Sequence, residues 1–597
     1  MKTNLHIFFR FLLALIFMLA ACTKDKTPSL SIDGKTAYTL ESGSVRLNIK
    51  LIANSADWAC DTGADWISLL SREAAQATLL VAENPGFDAR EATVSFHAGQ
   101  ASAQVAVTQA GKARTPFVEV SVTGNGDVDA AGATLTATVS SWPEEWEPEI
   151  TSGSEILTIA KEEQTLKITV LPNTEDKPRS GRIRIWAPSK AAGLAFQDIA
   201  ISQKPLDITY QETDLSETAT SNCYLISHKG PYSFNAKVRG NGKTVSGLSA
   251  PTSLSPTGAK LVWQSAKGMI SAVSYADGVI HFTAERINGN ALIAATDASG
   301  NIIWSWHIWY PADEPSELSA ATGDKVMAMN LGAMTGETGT LGSYGLLYQW
   351  GRKDPFPGSP VMHGGSVYTP NAPVYDMNGA TVKIEASNMY STTANTLAYS
   401  IAHPETCLSN NYQYASCRDW LTPSESNDAF WGNPGGNTRN SSGTYTQTGS
   451  KTYYDPCPAG WRVPALRTFQ GFTPTGGYCW TLSEFNVVDV NGDGDITLDD
   501  WSDGWQIYLD KKNNVSSYFP ATTRYDGQYA MLMGSMAGLW GNYWYNTPGE
   551  NTDTLVPYGA RAVSFSIKDY NGTDLVTMSA LSTGSRADAY AVRCIKE

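Results

Sequence analysis

From about residue 29, apolar and polar side chains alternate in short runs such as Val45-Arg46-Leu47-Asn48-Ile49, separated by Gly, Asp and Asn turns. A period of two sends successive side chains to opposite faces of a strand, and strands at this spacing predict a β-sandwich over 29–112. The order then repeats. Ile67, Asn84, Arg90 and the closing Val107-Thr108-Gln109 are answered by Ile156, Asn173, Arg179 and Ile201-Ser202-Gln203. In both stretches Asn precedes Arg by six residues, and the offset between copies is 89 there, so a second sandwich is predicted over 113–206. Residues 207–317 continue the β pattern with Tyr224-Leu225-Ile226, Lys260-Leu261-Val262-Trp263 and Val279-Ile280-His281-Phe282, giving a third sandwich. Its last run, Trp304-Ser305-Trp306-His307-Ile308-Trp309, is apolar on both faces. It reads as a strand buried on both sides, or as a ring platform for sugars.

Beyond residue 317 the alternation gives way to clusters of aromatic, Gly and Pro residues, the mark of irregular, loop-rich structure over 318–597. The clusters include Met329-Asn330-Leu331-Gly332-Ala333, Tyr344-Gly345-Leu346-Leu347-Tyr348-Gln349-Trp350 and Asp455-Pro456-Cys457-Pro458-Ala459-Gly460-Trp461. Tyr518-Phe519-Pro520-Ala521, Tyr543-Trp544 and Val592-Arg593-Cys594 follow. Inside this region Asp489 to Asp500 forms a twelve-residue acidic loop. It carries oxygen-bearing side chains at positions 1, 3, 5, 9 and 12, with Gly494 at position 6. Hard Ca²⁺ takes six to eight oxygens, which Asp489, Asn491, Asp493, the Asp495 carbonyl, Thr497 and Asp500 supply together. Calcium is therefore the expected, structural cofactor. Trp501 and Trp505 next to the loop, like Tyr543 and Trp544, are candidates for ligand contact; for the two tryptophans a place in the core is the alternative reading.

Composition adds an address. Lys2 and Arg10 flank an apolar run, Phe11 to Ala21, that is too short to span a bilayer and fits a signal peptide over 1–21. The run ends Leu19-Ala20-Ala21-Cys22, which resembles a bacterial lipobox and implies lipidation of Cys22, followed by a polar tether over 22–28. Net charge is −15 without a basic block, which excludes the electrostatic footprint of a nucleic-acid binder. Once Cys22 is set aside, Cys60, Cys223, Cys407, Cys417, Cys457, Cys479 and Cys594 remain, an odd number that predicts at least one free thiol. No HExxH, GxSxG or complete phosphate loop occurs, so no enzyme is expected.

Two resemblances sharpen this reading. Trp66-Ile67-Ser68, Asn84, Arg90 and Val107-Thr108-Gln109 resemble the Bacteroidetes-associated carbohydrate-binding often N-terminal (BACON) domain. The second copy departs from it at Glu155 and Ser202, which stand where the first has Trp66 and Thr108. The name implies glycan binding, while Trp66, Asn84 and Arg90 read equally as core, turn and strand-edge residues of a spacer. The C-terminal motif series resembles the Fibrobacter succinogenes major paralogous domain. That resemblance implies an α+β, C-type-lectin-like fold with a small sheet, two helices and a long loop-built ligand face, and a disulfide between Cys457 and Cys594. The EPN and QPD tripeptides of calcium-dependent lectins are absent. The expectation is a mainly β lipoprotein with tandem Ig-like β-sandwiches followed by a C-type-lectin-like domain. It would be lipid-anchored in the outer membrane at the cell surface, bind glycan or a surface protein, or serve as architecture alone.

Overall fold

The computed structural model describes residues 27–363, 366–387, 391–410, 418–435, 449–549, 559–568 and 574–597. Cys22, the signal peptide and Cys417 lie outside them. The chain divides into two compact units, one ending at Leu206 and one running from Asp207 to Glu597.

The first unit holds two β-sandwiches, each of two four-stranded sheets. In the first, Val45–Ala53 alternates buried and exposed positions, and Ile49, Leu79, Val94, Phe96 and Val107 meet between the sheets. The short strand Ala37–Leu40 closes the second sheet by running parallel to the last strand, Ala101–Gln109. The second sandwich repeats this closure with Asp127–Val128 beside Ala195–Gln203. Each core is anchored by a buried Trp, Trp58 or Trp146, with a cation over its ring, Arg72 at 5.0 Å or Lys161 at 4.2 Å.

The repeated Asn and Arg are braces. Asn84 donates to the carbonyls of Asp88 and Ala110 and accepts from the Gly86 amide; Asn173 does the same with Lys177, Lys204 and Glu175. Arg90 holds Gln109 and the Ala82 carbonyl, as Arg179 holds Gln203 and the Leu171 carbonyl. Buried Asn and Gln side chains so satisfied fix the turns and the last strand. Trp66 lies under the Arg90 guanidinium at 4.3 Å.

In the second unit the predicted boundary at 317 disappears. One sheet of the third sandwich runs Cys223–Leu225, Ile302–Tyr310, Gly289–Thr296 and Gly258–Gln264. It then takes on Val374–Tyr375 and Thr381–Val382 from beyond the expected boundary. Ile293, Trp304 and Trp306 share a core with Leu408, Trp420 and Phe430. Asn222 binds the two segments further, donating to the carbonyls of Tyr453 and Asp455 and accepting from the Trp304 indole. Strand alternation is a local signal and does not report a core shared across two hundred residues.

The C-terminal region is organised on a nine-stranded sheet whose centre is Leu346–Gln349, Ala589–Ala591, Trp540–Pro548, Gly559–Lys568 and Asp574–Ser585. Among the described residues its helical content is one α-helix, Leu397–Ala402, and short 3-10 turns, where the resemblance implied two helices. The motif residues converge. Arg593, fully buried, donates to Asn330, Ser517 and the carbonyls of Ala328 and Tyr518, and lies over Phe519 at 4.3 Å. Cys457 and Cys594 are joined in a disulfide across 137 residues. A loop of that length contributes about 2–5 kcal/mol by restricting the unfolded chain. Cys60, Cys223, Cys407 and Cys479 are free thiols.

Trp304, Trp306, His307 and Trp309 are all buried, so this strand is core on both faces and offers no sugar platform. His307 Nε2 meets Asn290 Oδ1 at 2.8 Å and its Nδ1 is buried without a partner. Burial pushes its pKa down to about 3. The folded state therefore holds the neutral ring while the unfolded state takes up a proton near pH 6.5. Stability from this group is complete above about pH 6.5 and is lost progressively as pH falls toward 3. The stability advantage of the native chain over His307→Gln should shrink by about 1.5 kcal/mol between pH 6.5 and 5 in urea titrations. Parallel stability curves for the two proteins would show that His307 is not a neutral buried group.

Candidate functional site

The hairpin of Tyr525–Asp526 and Met531–Leu532 branches from the central sheet, Tyr525 pairing with Ala589. Its tight turn is set against the next strand: a side chain at Gly527 would come within 2.7 Å of the Ala587 backbone. The Gly527 amide donates to Asp588 and its carbonyl accepts from the Asn410 amide. Between hairpin, sheet and the segment after Leu408 lies a cavity of about 190 Å³ lined by Asn410, Arg524, Asp526, Gln528, Asp588 and Tyr590, among others.

Its polar groups form a partly open network. Asp588 accepts from the Tyr590 hydroxyl at 2.8 Å and faces Arg524 at 3.5 Å. Burial pushes the Asp588 carboxyl up, and Arg524 acts against that. Burial works to lower the Arg524 guanidinium, but Asp588, Tyr590 and Asp526 outweigh it, so its pKa is raised and it remains a cation. Asn410 is only 6% exposed; its amide nitrogen donates to Ser585, and its Oδ1 has no hydrogen-bond partner. A buried acceptor left unmatched costs roughly 1–3 kcal/mol, a local cost that the rest of the fold offsets.

On the other side of the same hairpin, a cleft of about 340 Å³ is lined by Tyr368, Tyr525 and Met531. Tyr368 and Tyr529 meet edge to face at 5.5 Å, and Tyr529 is 44% exposed. The Tyr368 hydroxyl is raised in pKa by burial and by Asp526. One hairpin thus carries charged hydrogen-bonding groups on one side and an accessible aromatic edge on the other, the two kinds of group that hold a polyhydroxylated ring by its hydroxyls and its apolar face.

The expected aromatic contacts lie elsewhere. Tyr543 is buried, donating to the Pro520 carbonyl and accepting from Asn330. Trp544 is buried with its indole on the Tyr348 carbonyl, and its ring stacks on Tyr590 at 4.0 Å, so it underpins the cavity without lining it. Trp505 is buried in the core. Trp501 is half-buried, packed edge-on against Trp505 at 5.0 Å with its N–H on the Gly538 carbonyl. These four side chains serve packing, because their flat faces are consumed by neighbouring rings. Arg524, Asp526, Asp588 and Asn410 were not singled out from the sequence. The signal available was local: charged residues beside Gly527 and Ala587 in a chain with only 17% charged residues.

The acidic loop is closed upon itself. Asp489 accepts from the amides of Gly492 and Gly494, Asn491 from Asp493, and Asp493 from Asp495. Asp500, buried, accepts from Val490, Asn491 and Thr497. The all-oxygen donor set suits a hard divalent cation. Among the described residues no three acidic, His or Cys side chains converge as a metal cluster.

No curated protein sequence matches the chain. Among solved structures, a Bacteroides ovatus GH5 xyloglucanase in complex with a XXXG heptasaccharide is 20% identical over 14% of this chain and 19% of its own, with a TM-score of 0.13. Titin domains I67–I69 in an E-to-A variant align with 48% of this chain and 99% of theirs at 9% identity and a TM-score of 0.21. Such TM-scores say nothing about what this chain does. The family model of BACON, described as "Putative binding domain, N-terminal", matches residues 56–110 and 144–204, and the N-terminal region of this chain accordingly carries BACON domains.

Proposed function

We propose that this protein is a lipid-anchored cell-envelope protein that binds glycan through its loop-rich C-terminal region, carried behind β-sandwich domains. The observation that supports it most is the cavity beside the 525–532 hairpin. There the Arg524–Asp588 network and Gln528 line one opening, and the same hairpin exposes Tyr529 outside it. Carboxylate acceptors beside a guanidinium match the mixed donors and acceptors of sugar hydroxyls, and Tyr529 matches the C–H face of a pyranose. The BACON matches add a binding family upstream. The lipobox-like Leu19-Ala20-Ala21-Cys22 supports acylation of Cys22 and outer-membrane anchoring at the cell surface. The motif series supports a C-type-lectin-like arrangement of the loops, and the sequence carries no HExxH, GxSxG or complete phosphate loop beside it.

Calcium belongs to this reading as a clamp on the 489–500 loop. Asp489, Asn491, Asp493, the Asp495 carbonyl, Thr497 and Asp500 would hold it, and its charge would relieve the repulsion among the carboxylates.

Two experiments test these readings. On a glycan array, the native chain should be retained by a defined set of sugars, and Tyr529→Ala or Gln528→Ala should weaken that binding about tenfold while the urea midpoint stays put. Retention indifferent to both substitutions would remove the cavity from the binding site, and retention by proteins but by no sugar would favour an adhesin. For the loop, Tb³⁺ should give luminescence sensitised by the nearby Trp501 and Trp505, displaced by Ca²⁺ and lost in Asp493→Ala. Absence of any sensitised signal in the native chain would end the calcium reading.

A further inference from the structure

The two BACON-bearing sandwiches share one frame and differ on one face. Arg90 pairs with Gln109 as Arg179 pairs with Gln203, which fixes the register of both hairpins. Within that register Ser95 pairs with Gln104 and His97 with Ser102 in the first copy. At the corresponding places of the second, Arg184 pairs with Asp198 and Trp186 with Phe196. The neighbouring strand follows suit: Ala59 and Asp61 face His97 and Ser95, whereas Glu147 and Glu149 face Trp186 and Arg184. The hairpin itself is the two residues Gly99 and Gln100 in the first copy and runs from Pro188 to Leu194 in the second.

The replacement side chains form an ordered surface. Phe196 is 52% exposed, with its ring 5.1 Å from that of Trp186 and tilted by 52°. Arg184 lies over Phe196 at 4.1 Å and is held by Asp198 at 2.7 and 3.0 Å. The Trp186 indole donates to Glu149, which also pairs with Lys190, and Glu147 accepts from the Lys190 amide. Arg182 joins Asp198 at 3.3 Å, so three cations balance three carboxylates on this face.

We propose that this outer sheet face of the second sandwich binds an uncharged, soluble glycan chain, its sugar rings stacking on Phe196 and Trp186, and that the first sandwich has no such site. The proposal rests on the glycan reading above. An aromatic pair, one ring exposed and one half-buried, is not needed at this surface for the fold, since the first copy closes the same sheet with His97 and Ser102. The internal charge balance gives no excess to attract an anionic or cationic ligand. Rings tilted by 52° suit a chain whose successive sugars turn relative to one another, and cannot both lie flat on a crystalline surface. Arg184, Glu149 and Asp198 are positioned beside the rings to meet hydroxyl groups.

Affinity electrophoresis of the full chain through gels containing galactomannan, arabinoxylan, mixed-linkage glucan or polygalacturonate tests it. The double substitution Trp186→His with Phe196→Ser gives the second copy the first copy's residues, which this fold accommodates. Retardation by at least one neutral polysaccharide should fall about tenfold in affinity in that variant, with the urea midpoint unchanged. Unchanged retardation in that variant, with loss in Tyr529→Ala, overturns the second-sandwich site and leaves the cavity reading standing. Loss in the double variant with none in Tyr529→Ala supports the inference and removes the cavity. Retardation by polygalacturonate alone overturns an uncharged ligand, and no retardation in any gel overturns both readings.

Discussion

The buried guanidinium of Arg593 is the constraint on which the C-terminal region depends. A cation taken out of water is tolerable only if nearly all of its donors are met, and burial already lowers its pKa to about 10. Two stretches of chain far apart in sequence answer that demand: Asn330 with the Ala328 carbonyl, and Ser517 with the Tyr518 carbonyl, with Phe519 beneath the plane. Asn330 passes the constraint on to Tyr344 and Tyr543. The next residue, Cys594, is bonded to Cys457, so the same corner also ties the end of the chain to the segment around Cys457. Long loops can leave this frame without loosening it.

The contrast between Arg593 and Arg524 separates brace from site. Arg593 is saturated by neutral acceptors and has no room for a ligand. Arg524 keeps about 23% of its side chain exposed, shares Asp588 with Tyr590, and borders a cavity lined also by Asp526 and Gln528. A fully matched network stabilises one conformation, whereas a partly matched one at a surface is where binding free energy remains to be gained. The Trp544 ring under Tyr590 stiffens that opening from below.

The strands of the first unit were legible because alternation is written in adjacent residues, and the repeat because Asn84, Arg90 and Gln109 recur as Asn173, Arg179 and Gln203. The matched core tryptophans Trp58 and Trp146 were equally present but carry no neighbouring motif to flag them. Aromatic, Gly-rich motifs proved ambiguous: Tyr543 and Trp544 look like display residues in sequence, yet their polar tips have carbonyl partners in the core. The cavity residues Asn410, Arg524 and Asp588 are separated by many tens of residues, so only the folded sheet brings them together. The boundary drawn at 317 failed for the same reason, since Gln264 pairs with Tyr375 across it.

Duplication within one chain also supplies an internal control on function. The Asn, Arg and Gln braces make the same bonds in both sandwiches, so they answer to folding in each and cannot distinguish a binding copy from a spacer. Side chains on the outer sheet face are free of that requirement: the core behind them is closed by Val94, Phe96, Val105 and Val107 in one copy and by Ile183, Ile185, Ile199 and Ile201 in the other. A ring at this surface gains nothing from the core, so Phe196 and the half-buried Trp186 add to the stability of the domain only through their contacts with each other and with Arg184. Their orientation by Arg184 and Glu149, together with the lengthened 188–194 hairpin, adds further order at the surface. An ordered apolar surface that the fold does not require has its natural explanation in what it touches.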